Sequence, residues 1–239
     1  MRILITNDDG ITAPVLPIFA RWAQKFGEVT VVAPKVEQSG KSHAIDFTRL
    51  IEIKKADIGE GIEAYSMDST PADCVRYAVL GMKRKFDLVL SGINRGFNLG
   101  ADIPYSGTAG AVFEAGRLGI PGIAVSTEPT GFGEAVMRLD ELYDFFKKYE
   151  LLRECSLYNV NIPNGRKEIK LTRQGGIYFT DDFVKRDGDM YEQIGAMYVT
   201  DSADLTLDTD AVRHGYVSIM PMTVQKTDFG AYERINNKL

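Results

Sequence analysis

The chemistry in this chain gathers where short apolar segments end. Its first ten residues, Met1-Arg-Ile-Leu-Ile-Thr-Asn-Asp-Asp-Gly10, set the carboxylates of Asp8 and Asp9 side by side with no Lys or Arg adjoining them. Neighbouring like charges disfavour each other's ionised form, so the pair calls for a cation, which we read as a metal. Turn formation or helix capping by Asp is the plainer alternative. Two loops supply more oxygen: Lys35-Val-Glu-Gln-Ser-Gly-Lys-Ser-His-Ala44 carries Ser39, and Gly92-Ile-Asn-Arg-Gly-Phe-Asn-Leu-Gly100 carries Asn94 and Asn98. Either is also compatible with a solvated turn. An oxygen-only donor set suits Mg²⁺ or Mn²⁺. Tyr105-Ser-Gly-Thr108 opens a helix of small residues, and the unpaired N–H groups of a helix start suit a phosphate, although Ser106 and Thr108 serve equally as caps. A hard divalent ion beside such a helix start is a site for a phosphate ester. Water activated by the metal is the nucleophile that phosphoryl transfer then needs. Assistance from Asp8 or Asp9 as general base, or covalent attack by one of them, stays open.

These groups need strands to carry them. Ile3 to Thr6 has the β-branched, continuously apolar character of a strand buried on both faces, and Gly10 provides the freedom for a sharp turn. A helix over Thr12–Phe26 and a second buried strand over Val29–Ala33 complete a parallel βαβ unit. Further strands are expected over Asp87–Ser91, Ile120–Ser126 and Leu157–Ile162. Helices are expected from Thr70, from Ser106 and over Glu134–Phe146, and an edge hairpin within 45–67 with Gly59 and Gly61 in its turn. Asp8, Asp9, Ser39, Asn94 and the Ser106 helix start all follow expected strands, and a doubly wound sheet would bring them to one edge. Past about residue 165 the alternation stops. Ile169–Phe179 looks β-rich, 180–210 reads as an acidic, loop-like surface with eight Asp, Gly215–Met220 is a final strand, and Thr227–Leu239 is a tail. The expected fold class is α/β, a three-layer, Rossmann-like, doubly wound and mostly parallel sheet. It forms one domain over 1–239, with its core in about 1–165 plus strand 215–220. A β-rich C-terminal arm (about 166–212) and the tail (227–239) serve oligomer contacts.

Composition narrows the function. An apolar content of 44% and a charged content of 26% are ordinary for a soluble globular protein. A net charge of −5 argues against bulk electrostatic affinity for duplex nucleic acid. No apolar run approaches the roughly 20 residues that span a bilayer, and the N-terminus reads as a strand rather than a signal sequence. A cytoplasmic protein with reduced thiols is expected. Two Cys and two His argue against a disulfide framework and a His-rich zinc site. Cys74, on the inner face of the helix that starts at Thr70, reads as core.

The ordered motifs match a known family. Thr6-Asn-Asp-Asp-Gly-Ile11, Val32-Ala-Pro34 with Gln38-Ser-Gly40, Thr70-Pro-Ala-Asp-Cys74, Ser91-Gly-Ile-Asn94 with Gly96, Asn98 and Gly100, and Tyr105-Ser-Gly-Thr108 lie in the first half. Asn159-Val-Asn-Ile-Pro163, Thr172-Arg-Gln-Gly175 and Gly215-Tyr-Val-Ser218 extend the match to almost the whole chain. The chain resembles the SurE (survival protein E) family of metal-dependent 5′/3′-nucleotidases. The resemblance implies that Asp8, Asp9, Ser39 and Asn94 hold one divalent ion per subunit, with Asp8, Asp9 and Asn94 as the catalytic set. Asn98 and Ser106, Gly107 and Thr108 would contact the phosphate, with His43 nearby in a substrate-side or a structural role. It further implies nucleoside monophosphate substrates and a homodimer or homotetramer built through the C-terminal extensions. Departures fall in the loops. Ser39-Gly-Lys-Ser-His-Ala44 replaces the usual Ser-Gly-x-Gly-His-Ser, Ser69 stands where Gly usually precedes Thr-Pro, and Val15 where Gly usually follows Ala-Pro. A non-catalytic nucleotide-binding module is the alternative. A dehydrogenase or methyltransferase is disfavoured, because no Gly-x-Gly-x-x-Gly follows the first strand.

Overall fold

The computed structural model describes residues 1–59, 61–165 and 167–239. Among them, nine strands form one sheet in the order β3-β4-β2-β1-β5-β6-β7-β11-β8. The strands are β1 (Arg2–Thr6), β2 (Glu28–Pro34), β3 (Ile53–Ala56), β4 (Glu63–Met67), β5 (Leu88–Arg95), β6 (Gly122–Thr127), β7 (Leu157–Ile162), β8 (Ile169–Leu171) and β11 (Val217–Met222). From β4 to β7 every pairing is parallel. Edge strand β3 runs antiparallel to β4, and β11 antiparallel to β7.

Successive side chains of a strand point to opposite faces, and here both faces are covered. Ile3, Ile5, Val31, Leu88 and Leu90 pack with α1 (Val15–Gln24) and α5 (Leu139–Lys148) through Leu16, Phe19, Leu139 and Leu142. Leu4, Val32 and Val89 pack on the other face with α2 (Pro71–Arg76) and α3 (Gly107–Arg117) through Cys74, Val75, Ala111 and Ala115. This is the three-layer α/β arrangement expected from the sequence.

Local differences have local causes. The helix expected over Glu134–Phe146 is divided at Arg138 into α4 (Phe132–Met137) and α5. Arg138 sits at the edge of the helical region (φ −94°, ψ −2°) and forks onto Glu141 at 2.8 and 2.9 Å. The strand expected to end at Ser91 continues to Arg95, with a register shift between Ser91 and Asn94. β11 runs through Pro221, beyond the last residue that pairs with β8, where a missing N–H costs least. The segment expected to be an acidic loop is mostly ordered. It holds the antiparallel hairpin β9 (Phe179–Lys185) and β10 (Tyr191–Met197), and then α7 (Asp208–Arg213). Its turn is Gly188-Asp189, closed by the Met190 N–H on the Asp187 carbonyl at 3.1 Å with Gly188 at φ +59°, a hairpin signal hidden among the acidic residues. The tail contains α8 (Phe229–Asn236), capped by Asp228, which accepts the Ala231 N–H at 2.8 Å. The turn expected at Gly59 and Gly61 includes Glu60, which lies outside the described residues.

Candidate functional site

The chain leaves β1 for β2 on one side and returns to β5 on the other, so the crevice of the doubly wound sheet opens between the ends of β1 and β5. Asn7 shapes the turn there. Its amide donates to the Gly10 carbonyl at 2.9 Å and accepts the Gly10 N–H at 3.1 Å, with Gly10 at φ +95°. The Ile11 N–H then ties the turn to the Pro34 carbonyl at the end of β2.

Asp8 is 3% exposed and reaches the first turn of α3. Its carboxylate accepts the Thr108 hydroxyl at 2.6 Å and the Thr108 N–H at 3.2 Å. Gly107 makes the approach possible, because a Cβ there would lie 3.1 Å from Asp8 Cβ and 3.3 Å from the Gln38 carbonyl oxygen. Burial pushes the Asp8 carboxyl up to about 6, against the Thr108 hydrogen bonds and with help from Asp9. Ser106 caps α3 by accepting the Ala109 N–H at 3.0 Å. Both readings of Ser106 and Thr108 therefore meet here: they cap the helix and lie against Asp8.

Asp9 is partly exposed and accepts the Arg95 N–H at 3.1 Å. Burial raises its carboxyl also, against that N–H and the Arg95 charge. Asn94, next in the chain to Arg95, donates its amide nitrogen to the Gly96 carbonyl at 2.7 Å; its amide oxygen is the atom it can offer a cation. The loop after β2 closes the group. The Gln38 N–H bonds to the Asp8 carbonyl at 2.7 Å, which brings Ser39 alongside, and Ser39 Oγ donates to Glu37 at 2.6 Å.

The remaining expected residues are held by partners the sequence did not single out. His43 Nε2 lies 2.8 Å from Glu114, a carboxylate of α3 that is 1% exposed. Asn98 donates its side-chain amide to Ser126 at 2.9 Å, and its carbonyl accepts the amides of Asn159 and Asn161 at 2.7 and 3.0 Å. Asp208 accepts the N–H of Gly100, Gly175 and Thr209 at 2.9, 2.7 and 2.8 Å, anchoring the far end of the Asn94–Asn98 loop to α7. Two Asn at alternate positions of a buried strand, and a Glu in a helix of Ala and Gly, were signals available in the sequence. Asp208, one acidic residue among many, gave none.

The donors fit a hard cation. Two carboxylates stand at the end of β1, with Asn94 beside the Arg95 N–H that bonds to Asp9 and Ser39 beside the Gln38 N–H that bonds to Asp8; one carboxylate is buried with its proton affinity raised by that burial. Among the described residues no Lys, Arg or His side chain forms a close ion pair with Asp8 or Asp9, although the Arg95 charge acts on Asp9. Nor do three His, Cys, Asp or Glu gather to hold a metal, so neutral oxygens must complete any coordination. An apolar cavity of about 350 Å³ lies elsewhere, lined by Met1, Ile3, Phe19, Leu139 and Val160 among others, and contains none of these groups.

Comparison with known proteins identifies the family of the chain. The family model described as survival protein SurE matches residues 3–181. The chain is 36% identical over 249 residues to the 5′-nucleotidase SurE of Thermosipho africanus, covering 100% of this chain and 97% of the relative. It is 33% identical over 252 residues to the 5′-nucleotidase SurE of Legionella pneumophila, with the same coverage. The crystal structure of the SurE protein from Aquifex aeolicus superposes with a TM-score of 0.79 at 34% identity, over 99% of each chain. No helix among the described residues is long and apolar enough to cross a membrane.

Proposed function

The chain belongs to the SurE survival protein family, and we propose from its site that it is a metal-dependent phosphomonoesterase acting on nucleoside 5′-monophosphates, and 3′-monophosphates, to give nucleoside and phosphate. One observation carries the reading: the buried carboxylate of Asp8 meets the first turn of α3 beside Asp9, with no cationic side chain paired to either among the described residues. Asp8, Asp9, Ser39 and Asn94 would hold one Mg²⁺ or Mn²⁺. When bound, that ion supplies Lewis-acid polarisation of the phosphate and a lowered pKa for water.

The residues around it have separable tasks. Gly107 keeps the backbone of α3 close enough to Asp8 for the phosphate to meet the helix start, where positive potential favours an anion. Thr108 fixes the Asp8 carboxylate through two donors, so little reorganisation is needed when charge develops at phosphorus. The Asn98 backbone, clamped by Asn159 and Asn161, holds the Asn94 loop at the other side. The supporting relatives bear the name 5′-nucleotidase. The arm and tail also carry exposed apolar side chains, Phe183 and Tyr191 on the hairpin and Phe229, Tyr232 and Ile235 on α8. We assign these surfaces to contacts within a homodimer or homotetramer, a reading that sedimentation of the purified protein tests.

The decisive assay is phosphate release from a panel of nucleoside 5′- and 3′-monophosphates with Mg²⁺, Mn²⁺ or EDTA. Release should require the metal and stop on chelation. Nucleotide binding without release under every metal would leave a binding module in place of an enzyme.

A further inference from the structure

Beneath the loop that carries Ser39 lies a charge cluster built on one buried carboxylate. Glu114 projects from α3 and is 1% exposed. Its carboxylate accepts Arg76 Nη1 of α2 at 3.0 Å, Arg117 Nη2 at 2.7 Å and Nε at 3.0 Å, and faces His43 Nε2 at 2.8 Å. Two guanidinium groups on one carboxylate keep it ionised and so acceptor-only. His43 Nε2 is therefore the donor. The cluster joins three elements: α2, α3 and the loop after β2.

That loop rests on α3 by close backbone contact. The Ser42 N–H donates to the Tyr105 carbonyl at 2.9 Å and Ser42 Oγ to the Pro104 carbonyl at 2.6 Å. Thr70 of the α2 cap donates to the Ala44 carbonyl at 2.7 Å. Ser42 itself sits at φ +58°, in the left-handed region that is costly for a residue with a side chain. The related motif has Gly at this position, and the bond from Ser42 Oγ to Pro104 offsets part of that cost. The loop is thus held in a strained conformation at its Ser42 end, next to His43, while its other end meets Asp8 through Gln38.

We propose that Glu114, acting through His43, is a positioning residue for cation binding: the cluster holds the loop so that Ser39 stays beside Asp8. This rests on the metal-dependent reading above. α3 serves both ends of the arrangement, with Thr108 on Asp8 and Glu114 on His43 six residues along the same helix. His43 thereby acts on the site through the backbone rather than by touching the substrate.

The test is Mn²⁺ binding to the substrate-free protein, followed by loss of the free-ion electron paramagnetic resonance signal, beside the Mn²⁺ dependence of phosphate release from AMP. His43→Ala should weaken Mn²⁺ binding by about tenfold, the low end for groups that orient a metal ligand, with the KM for AMP at saturating Mn²⁺ held. His43→Gln, whose amide can still donate to Glu114, should recover most of the affinity. Glu114→Gln should repeat the His43→Ala loss, with circular dichroism melting to report its folding. Wild-type Mn²⁺ affinity in His43→Ala overturns the proposal, as does a rise in KM for AMP at unchanged Mn²⁺ affinity. A wild-type protein that neither binds Mn²⁺ nor releases phosphate overturns the phosphatase reading instead.

Discussion

Asp8→Asn should lower metal-dependent phosphate release by at least about a hundredfold, because groups that merely orient a metal ligand already cost 10–100-fold, and should leave the metal-free protein no less stable. The two effects have one origin. Asp8 is a buried carboxylate whose burial pushes its carboxyl up to about 6, so its ionised form is unfavourable until a cation arrives. Asn keeps an oxygen for the Thr108 hydroxyl and removes the charge. It gives up the 3.2 Å bond from the Thr108 N–H, which is long enough to be weak.

The pH dependence gives an independent signature. The folded state binds the Asp8 proton more tightly than the unfolded state, whose carboxyl titrates near 3.8. Stability of the metal-free protein should therefore rise as pH falls from 7 through about 6 towards 4, by up to about 1.4 kcal/mol per unit of displacement. Asp9 and Asp208, also raised by burial, add in the same sense. Glu114 opposes them at the acid end. Burial works to raise its carboxyl, but the hydrogen bonds from His43, Arg117 and Arg76 prevail and hold it at about 2. Its contribution is present above about 4.5 and is lost as pH falls towards 2. The stability maximum of the metal-free protein should thus lie at about pH 4, where the two trends cross, and Asp8→Asn should flatten its neutral side. Urea titrations across pH, without metal, read this directly; a variant that keeps the wild-type slope would remove Asp8 as its source.

Gly110→Ala should destabilise the fold by about 1–3 kcal/mol and weaken metal-dependent turnover at least about tenfold. In an ordinary helix interior this substitution is favourable, by about 0.5–1 kcal/mol. Here a Cβ would fall 2.3 Å from the Ser42 carbonyl oxygen, 2.8 Å from its carbon and 3.0 Å from His43 Cα. Those are backbone atoms, so no side chain can swing away, and either the loop lifts or α3 recoils. α3 is held by Asp8 and Glu114, which leaves the loop to move and Ser39 with it. Denaturant midpoints and Mn²⁺ titrations measure both consequences. A Gly110→Ala protein as stable and as active as wild type would mean that the loop does not rest on this helix.

Much of this was legible in the sequence because it follows from period and punctuation. Ile3 to Thr6, Val29 to Ala33 and Leu157 to Ile162 announce themselves as strands buried on both faces. Gly10, Pro34 and Ser106 mark where they or their helices turn. Asp8, Asp9, Ser39, Asn94 and Ser106–Thr108 stand out as candidates because oxygen donors after parallel strands share one edge. Contacts between distant segments have no periodic signature, and there the sequence was silent. Nothing in the composition of 180–210 separates Asp208, buried against three backbone donors, from the exposed Asp181 and Asp182. The same acidic density concealed the Phe179–Met197 hairpin, whose apolar residues face outward and so lack the usual alternation against a core. The pairing of His43 with Glu114 spans 71 residues, and only the folded chain reveals it.

The anchoring of Gly100 by Asp208 has a consequence in time. The residues proposed to hold the ion all lie before position 95, and the helix start that meets them lies at 106–108. A nascent chain emerges from its N-terminus, so all these groups are available before residues 109–239 have been made. The Asn94–Asn98 loop, however, receives its last fixed partner from residue 208, and β7 gains its outer neighbour only with 217–222. The acidic pair and its neighbouring loop therefore wait on residues 208–222 for their final arrangement, and a product interrupted before them would carry the acidic pair without a finished site around it.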